Sequence, residues 1–145
     1  MKTSQAGIDL IKHFEGFRKE AYLCPGGVWT IGYGHTRGVR GGDVITERQA
    51  EDFLRKDLEE AEFIVEDLIS EPLLQNQFDA LVSLVYNIGS GNFHDSTIRR
   101  LINAKCTEVR KLEHAWKMWK KSQGVTLSGL IRRREAEFNL YKKDL

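Results

Sequence analysis

The run Cys24-Pro25-Gly26-Gly27-Val28-Trp29-Thr30-Ile31-Gly32-Tyr33-Gly34-His35-Thr36 decides how the rest of this chain is read. Cys-Pro-Gly-Gly is a strong turn signal and the residues after it are β-prone, so a hairpin strand is expected from Val28 to His35. Period-two alternation sets Thr30, Gly32 and Gly34 on one face of that strand and Trp29, Ile31 and Tyr33 on the other. One face is bulky and the other almost bare. A bare strand face packs poorly unless something must approach the backbone closely, which makes it the expected floor of a cleft with Thr30 as its polar handle. Further glycines at 26, 27, 38, 41 and 42 extend this character over the segment from Phe17 to Asp43, giving a small hairpin sheet.

Outward from the sheet the periodicity is helical. Ile8, Ile11 and Phe14 recur at three-residue spacing behind Thr3 and Ser4 as candidate N-caps, which predicts a short amphipathic helix over 5–14. Thr46 and Gln49 have the capping-box form, and Ala50, Phe53, Leu54, Leu58, Ala61, Ile64, Val65, Leu68 and Ile69 keep an apolar helical stripe until Pro72. A helix over about 47–70 would be about 35 Å long at 1.5 Å per residue, more than one compact lobe needs, so it reads as a spine joining two lobes. The remainder reads as helical: 75–88 stopped by Gly89, 97–104 behind Ser96, 108–121, and about 129–142. Val109, Leu112, Trp116 and Trp119 repeat at three and four and mark a core face. The expected organisation is one domain over 1–145. It has a hairpin lobe at about 15–45, the connecting helix at about 47–70, and a helical lobe at about 71–145 that also takes in the N-terminal helix.

The chain has 145 residues, 41% of them hydrophobic, with only 2 Pro and 2 Cys. At that length roughly two-thirds of the unfolded surface is buried, so no disulfide staple or structural metal is needed. Disorder, a collagen-like repeat and a disulfide scaffold are excluded by composition. No apolar stretch approaches the ~20 residues of a membrane span, and the opening residues lack the apolar core of a signal peptide. Synthesis in a cytoplasm is therefore expected, with something else providing release. Formal net charge is +1, yet residues 1–70 carry 9 basic and 13 acidic side chains against 13 and 8 in residues 71–145. The segment from Arg99 to Lys121 holds eight Lys/Arg and two Glu, which fits a solvated helix surface as well as a surface for an anionic polymer. No groove-reading motif for nucleic acid accompanies it.

Glu15 closes the first predicted helix inside His13-Phe14-Glu15-Gly16-Phe17. A carboxyl in apolar surroundings tends to stay protonated, as a general acid near neutral pH requires, whereas an exposed glutamate at a helix end would do nothing of the kind. Its neighbours in sequence decide between the two. The spacing Glu, eight residues, Cys, five residues, Thr is met by Glu15, Cys24 and Thr30. Together with Phe14-Glu15-Gly16, Ala21-Tyr22, the Cys24–Thr36 run, Ile45-Thr46, Gln77 to Ser83, Asn87-Ile88-Gly89, Ser96-Thr97, Gly129-Leu130 and Arg133-Arg134-Glu135-Ala136-Glu137, it resembles the phage-type lysozymes. These form glycoside hydrolase family 24, which includes T-even phage lysozyme and the lambdoid endolysins. The likeness spans nearly the whole chain, in order.

That resemblance implies an α+β, lysozyme-like two-lobed fold and an endolysin muramidase. It would hydrolyse the β-1,4 bond between N-acetylmuramic acid and N-acetylglucosamine in peptidoglycan and lyse the host cell. Glu15 would be the acid, with Cys24 and Thr30 holding or activating the attacking water. The family signature admits Asp or Cys at position 24. A thiol with an ordinary pKa of ~8.5 is only a few per cent thiolate at pH 7, so base, nucleophile and water-positioner all stay open for Cys24. By the same likeness Tyr86, Asn87 and Ser96 would line the sugar cleft, His35 and Asp57 would form an ion pair between hairpin and spine, and Arg133 would approach Glu15. Cys106 reads as an inert thiol. No metal and no cofactor are expected. The partners would be peptidoglycan strands and a holin-like membrane lesion, with the enzyme acting as a monomer and no part for nucleic acid. A lytic transglycosylase using Glu15 alone, or a catalytically silent wall-binding module, are the rival readings.

Overall fold

The computed structural model describes residues 1–122 and 124–145. Helix α1 (Gln5–Glu15) buries Ile8 and Ile11, as its three-residue spacing requires. Ser4 sits at the N-cap position, but its hydroxyl does not cap the helix. Instead Asp79 accepts from the Ser4 backbone N–H at 3.0 Å and from the Ser4 hydroxyl. Gly7 is required where α1 passes this carboxylate, because a β-carbon there would lie 2.8 Å from Asp79 Cγ.

Gly16 (φ 73°) releases the chain into β1 (Arg18–Leu23), which pairs antiparallel with β2 (Trp29–Gly32). The expected turn closes them, with Cys24 N–H donating to Val28 O at 3.0 Å and Gly27 N–H to Cys24 O at 2.8 Å. The second strand is shorter than its alternation suggests. Ile31 and His35 exchange two backbone hydrogen bonds of 2.9 Å, folding Gly32 (φ 65°) and Gly34 (φ 88°) into a tight turn that glycine alone adopts without strain. The single bare face is therefore split. A β-carbon on Gly32 would meet Ala50 and Ile45, so Gly32 serves packing against the next helix, whereas Gly34 faces Glu15 and Tyr86.

Helix α2 (Glu47–Leu68) starts from a complete Thr46/Gln49 capping box and ends at Leu68, two residues short of the expected 70, with Ile69 as its extended C-cap. Ala50, Leu54, Leu58, Ala61 and Val65 form its buried stripe, and it touches both β2 and α3 (Gln75–Ile88). Residues Phe78 to Val85 of α3 are all buried, which marks a helix enclosed on every side. It packs against α1, α2 and α7 (Ser128–Tyr141).

Between α3 and α7 lie α4 (Ser90–His94), α5 (Thr97–Asn103) and α6 (Val109–Lys117). No cap or periodicity in the sequence announces α4, a helix of only five residues. Helix α6 stops at Lys117 rather than 121, because Lys121–Ser122 (β3) pairs antiparallel with Val125–Thr126 (β4) in a second small hairpin. Trp116 is fully buried, as its spacing predicts, while Trp119 only leans on the core. The whole is an α+β lysozyme-like fold. No described helix is long and apolar enough to cross a membrane, and Cys24 and Cys106 are free thiols.

Candidate active site

Glu15, the last residue of α1, places its carboxyl between the helical lobe and the hairpin turn. Arg133 Nη1 on α7 donates to Glu15 Oε2 at 2.6 Å, while Oε1 faces Gly34. The surroundings are thus not simply apolar, as Phe14 and Phe17 suggested, but charged on one side. Arg133 also sits 5.9 Å from the centre of the Phe14 ring. Of the three consecutive arginines 132–134, Arg133 and Arg134 are buried and only Arg132 faces solvent. Burial pushes the Arg134 guanidinium below its ordinary range, against the pull of Glu137.

Tyr86, on α3, donates its hydroxyl to Tyr33 O at 3.2 Å and stands beside the Glu15 carboxyl. Burial, reinforced by the carboxylates of Glu15 and Asp57, raises its pKa well above the usual tyrosine range, so it remains a neutral donor. His35 Nδ1 lies 2.8 Å from Asp57 Oδ2, and the ring stacks on Phe53 at 4.3 Å and 10°. An open cleft of about 800 Å³ runs along this wall, lined among others by Gly34, His35, Phe53, Asp57, Tyr86 and Ser90.

Cys24 and Thr30 come together at the closed end of the first hairpin, where Tyr22 pairs with Thr30 and Leu23 with Trp29. The Thr30 hydroxyl is buried, donates to Val28 O at 3.0 Å and lies within hydrogen-bonding reach of the Cys24 thiol. The Cys24 thiol is shifted below its ordinary pKa, first by the backbone N–H of Val28, then by that of Gly26. Glu15 makes no hydrogen bond to either residue among those described, and neither lines the larger cleft.

Two sequence expectations fare differently here. Asn87 is exposed on α3 next to Tyr86 but lies outside the lining of the cleft. Ser96 is buried, its hydroxyl donating to Phe93 O at 2.7 Å and accepting from Arg99 N–H at 3.2 Å, so it is the cap of α5 and presents no free group to a sugar. No functional role follows from the sequence for Glu137, which binds Arg133, or for Ser83 and Trp116, which donate to Glu137. The only signal for them is the four-residue spacing of Arg133 and Glu137. Among the described residues, no group of three or more His, Cys, Asp or Glu is placed to hold a metal ion.

The chain matches the family model described as Phage lysozyme over residues 12–137. It is 42% identical over 146 residues to an endolysin of Acyrthosiphon pisum secondary endosymbiont phage 1, covering 98% of this chain and 99% of that one. Identity to an endolysin of Bacillus phage B103 is also 42%, over 144 residues and 97% of this chain, which spans only 54% of that longer protein. Among solved structures, the muramidase domain of SpmX from Asticaccaulis excentricus superposes with a TM-score of 0.90 at 42% identity, covering 97% of each chain. On this likeness of sequence and fold, the chain belongs to the phage lysozyme family.

Proposed function

We propose that this chain is an endolysin muramidase that hydrolyses the β-1,4 bond between N-acetylmuramic acid and N-acetylglucosamine of peptidoglycan. The observation that carries the reading is the Glu15 carboxyl, pinned on one oxygen by Arg133 at 2.6 Å and presented on the other beside Gly34 and Tyr86. In this reading Glu15 gives its proton to the glycosidic oxygen as the bond to C1 breaks. Water adds to C1 and its spare proton goes to the Cys24 thiolate, so one water is consumed per bond. Thr30, whose own proton is held on Val28 O, accepts a hydrogen bond from that water at its hydroxyl oxygen. An acid and a base on opposite sides of the ring, with water between, invert the anomeric centre. Tyr86 and the His35–Asp57 wall would meet the sugar chain in the cleft, with Asn87 beyond its lining.

Residues 1–145 would act as one lysozyme domain and as a monomer, without metal or cofactor. The enzyme would wait in the host cytoplasm and reach the wall through a holin-like lesion. The test is clearance of chloroform-treated Gram-negative cells by the wild type and E15Q, with mass spectrometry of the digest. We expect lysis by the wild type, near-complete loss in E15Q, and fragments carrying one more water than anhydro sugars. Full clearance by folded E15Q overturns Glu15 as the acid, and a digest dominated by anhydro ends makes the enzyme a transglycosylase.

A further inference from the structure

Arg133 and Arg134 are neighbours on α7, yet both turn inward to the same carboxylate. Glu137 lies four residues after one and three after the other, the two spacings that meet on a helix face. It is fully buried. Its Oε2 accepts from Arg133 Nε at 3.2 Å, from Arg134 Nη2 at 3.1 Å and from the Ser83 hydroxyl. Its Oε1 accepts from Trp116 Nε1 at 3.1 Å and lies 2.7 Å from Arg134 Nε, which is misaligned for a hydrogen bond. Ser83 is used twice, since its backbone carbonyl also accepts from Arg133 Nη2 at 3.3 Å. Helices α3, α6 and α7 therefore meet on one oxygen pair.

A buried charge this fully bonded is costly to disturb, and every bond on it limits how Arg133 can lie. Two guanidinium groups face one buried carboxylate, so the knot carries one positive charge in excess. Among the described residues, the other carboxylate paired with it is Glu15, through Arg133 Nη1. Among the described residues, that bond is the one hydrogen bond made by the Glu15 carboxyl. Whatever fixes the guanidinium plane of Arg133 also fixes where the Glu15 carboxyl points and how much positive charge it faces.

We propose that Glu137 is a positioning residue for Glu15, acting through Arg133, with Ser83 holding Glu137 in turn. The proposal rests on the reading of Glu15 as the acid for its catalytic consequences, while its electrostatic part does not. In E137Q one anion leaves and Arg133 faces Glu15 with less of its charge neutralised. The alkaline limb of the profile of kcat/KM against pH, where the acid loses its proton, should then move to lower pH by about one unit. We expect kcat to fall about tenfold with KM within about twofold. S83A deletes the hydroxyl's bond to Glu137 and the longer one it accepts from Arg133 Nη2 at 3.4 Å, keeps the backbone carbonyl bond to Arg133, and leaves only a small void, so it should fold even where E137Q does not. It should lower kcat about three- to tenfold at unchanged KM, the size of a lost charge-assisted bond to the Arg133–Glu137 pair.

A merely structural Glu137 would lower the folded fraction and leave the limb in place. Folded variants with wild-type kcat and an unmoved limb overturn the proposal, and S83A alone decides it if E137Q fails to fold. E15Q run alongside separates the two readings: its full activity would refute Glu15 as the acid. The titration of the Glu15 carboxyl, followed by 13C NMR in E137Q, tests the electrostatic link directly. A midpoint moved to lower pH supports it, and an unmoved midpoint overturns it.

Discussion

The Glu15 carboxyl faces Gly34 on the side where any other residue would carry its β-carbon. A β-carbon built on Gly34 would lie 3.2 Å from Glu15 Oε1 and 3.5 Å from Tyr86 Oη, at a φ of 88°. A side chain there meets two penalties, one from the backbone and one from the carboxyl it would displace. G34A should lose about 1 kcal/mol or more of stability through the left-handed backbone alone. It should also lose about 10- to 100-fold in lytic rate, because a reacting group moved by a fraction of an ångström to an ångström loses its alignment. Gly38 is the control, with φ 72° and open space around its α-carbon. G38A should share the stability loss, measured by urea unfolding, and keep its activity. Equal activity losses in the two variants would refute the contact argument.

Lys12 on α1 pairs with Glu51 on α2, and both side chains are about a quarter exposed. The hydrogen bond between them is the main cause that raises the lysine pKa above 10.5 and lowers the glutamate below 4.5. The lysine contribution is full below its unfolded value and is lost as pH rises through the raised folded one. The glutamate contribution is full above its unfolded value and is lost as pH falls through the lowered folded one. The pair should therefore stabilise most between about pH 4.5 and pH 10.5. A double-mutant cycle of K12M and E51Q, which sets aside the Arg55 contact to Glu51, should give about 0.5–1 kcal/mol at pH 7. That coupling should shrink outside both limits, and a coupling flat from pH 3 to pH 11 would contradict the assignment.

His35 and Asp57, 2.8 Å apart, join the hairpin turn to α2, and the Phe53 ring on the face of His35 leaves the imidazole little freedom. A cycle of H35Q and D57N should give a coupling of about 1–3 kcal/mol, the range of a partly buried charge-assisted bond. D57N alone should lower Tm by about 2–8 °C for a chain of this size. A coupling within the error of the cycle, about 0.3 kcal/mol, would mean the pair is incidental.

What could be read from the sequence was local. Thr46 and Gln49 build the capping box their spacing announces, and Gly89 stops α3 where expected, because both features depend on residues within one turn. The His35–Asp57 pair and the approach of Arg133 to Glu15 were legible only through the family resemblance, since 22 and 118 residues separate the partners. Alternation from Thr30 to Gly34 misled beyond Gly32, because glycines that permit a strand permit a left-handed turn more readily. Ser96 carried two compatible signals, helix cap and sugar ligand, and burial decided for the cap. The Arg133–Glu137 knot stayed hidden because a run of charges ordinarily lies in solvent, and only the partners on α3 and α6 make its burial tolerable.

Cys24 decides whether the hairpin supplies chemistry or only shape. Its thiol is lowered from the ordinary value first by the Val28 and then by the Gly26 backbone N–H groups, which favour the thiolate. In a C106A background the pH dependence of iodoacetamide alkylation should therefore have its midpoint below that of free cysteine. If the thiolate takes the proton of the attacking water, C24A and the alkylated enzyme should lose most of their activity, because the proton acceptor beside Thr30 is then gone. C24D should retain much of it, since a carboxylate there is ionised at neutral pH. The two bases also differ in where activity fades on the acid side. The acid limb of kcat/KM reports the proton taken up by the base, so in C24D it should move to lower pH by several units relative to the wild type. Wild-type clearance by C24A, or an acid limb that stays in place in C24D, would reduce Cys24 to the residue that starts a turn.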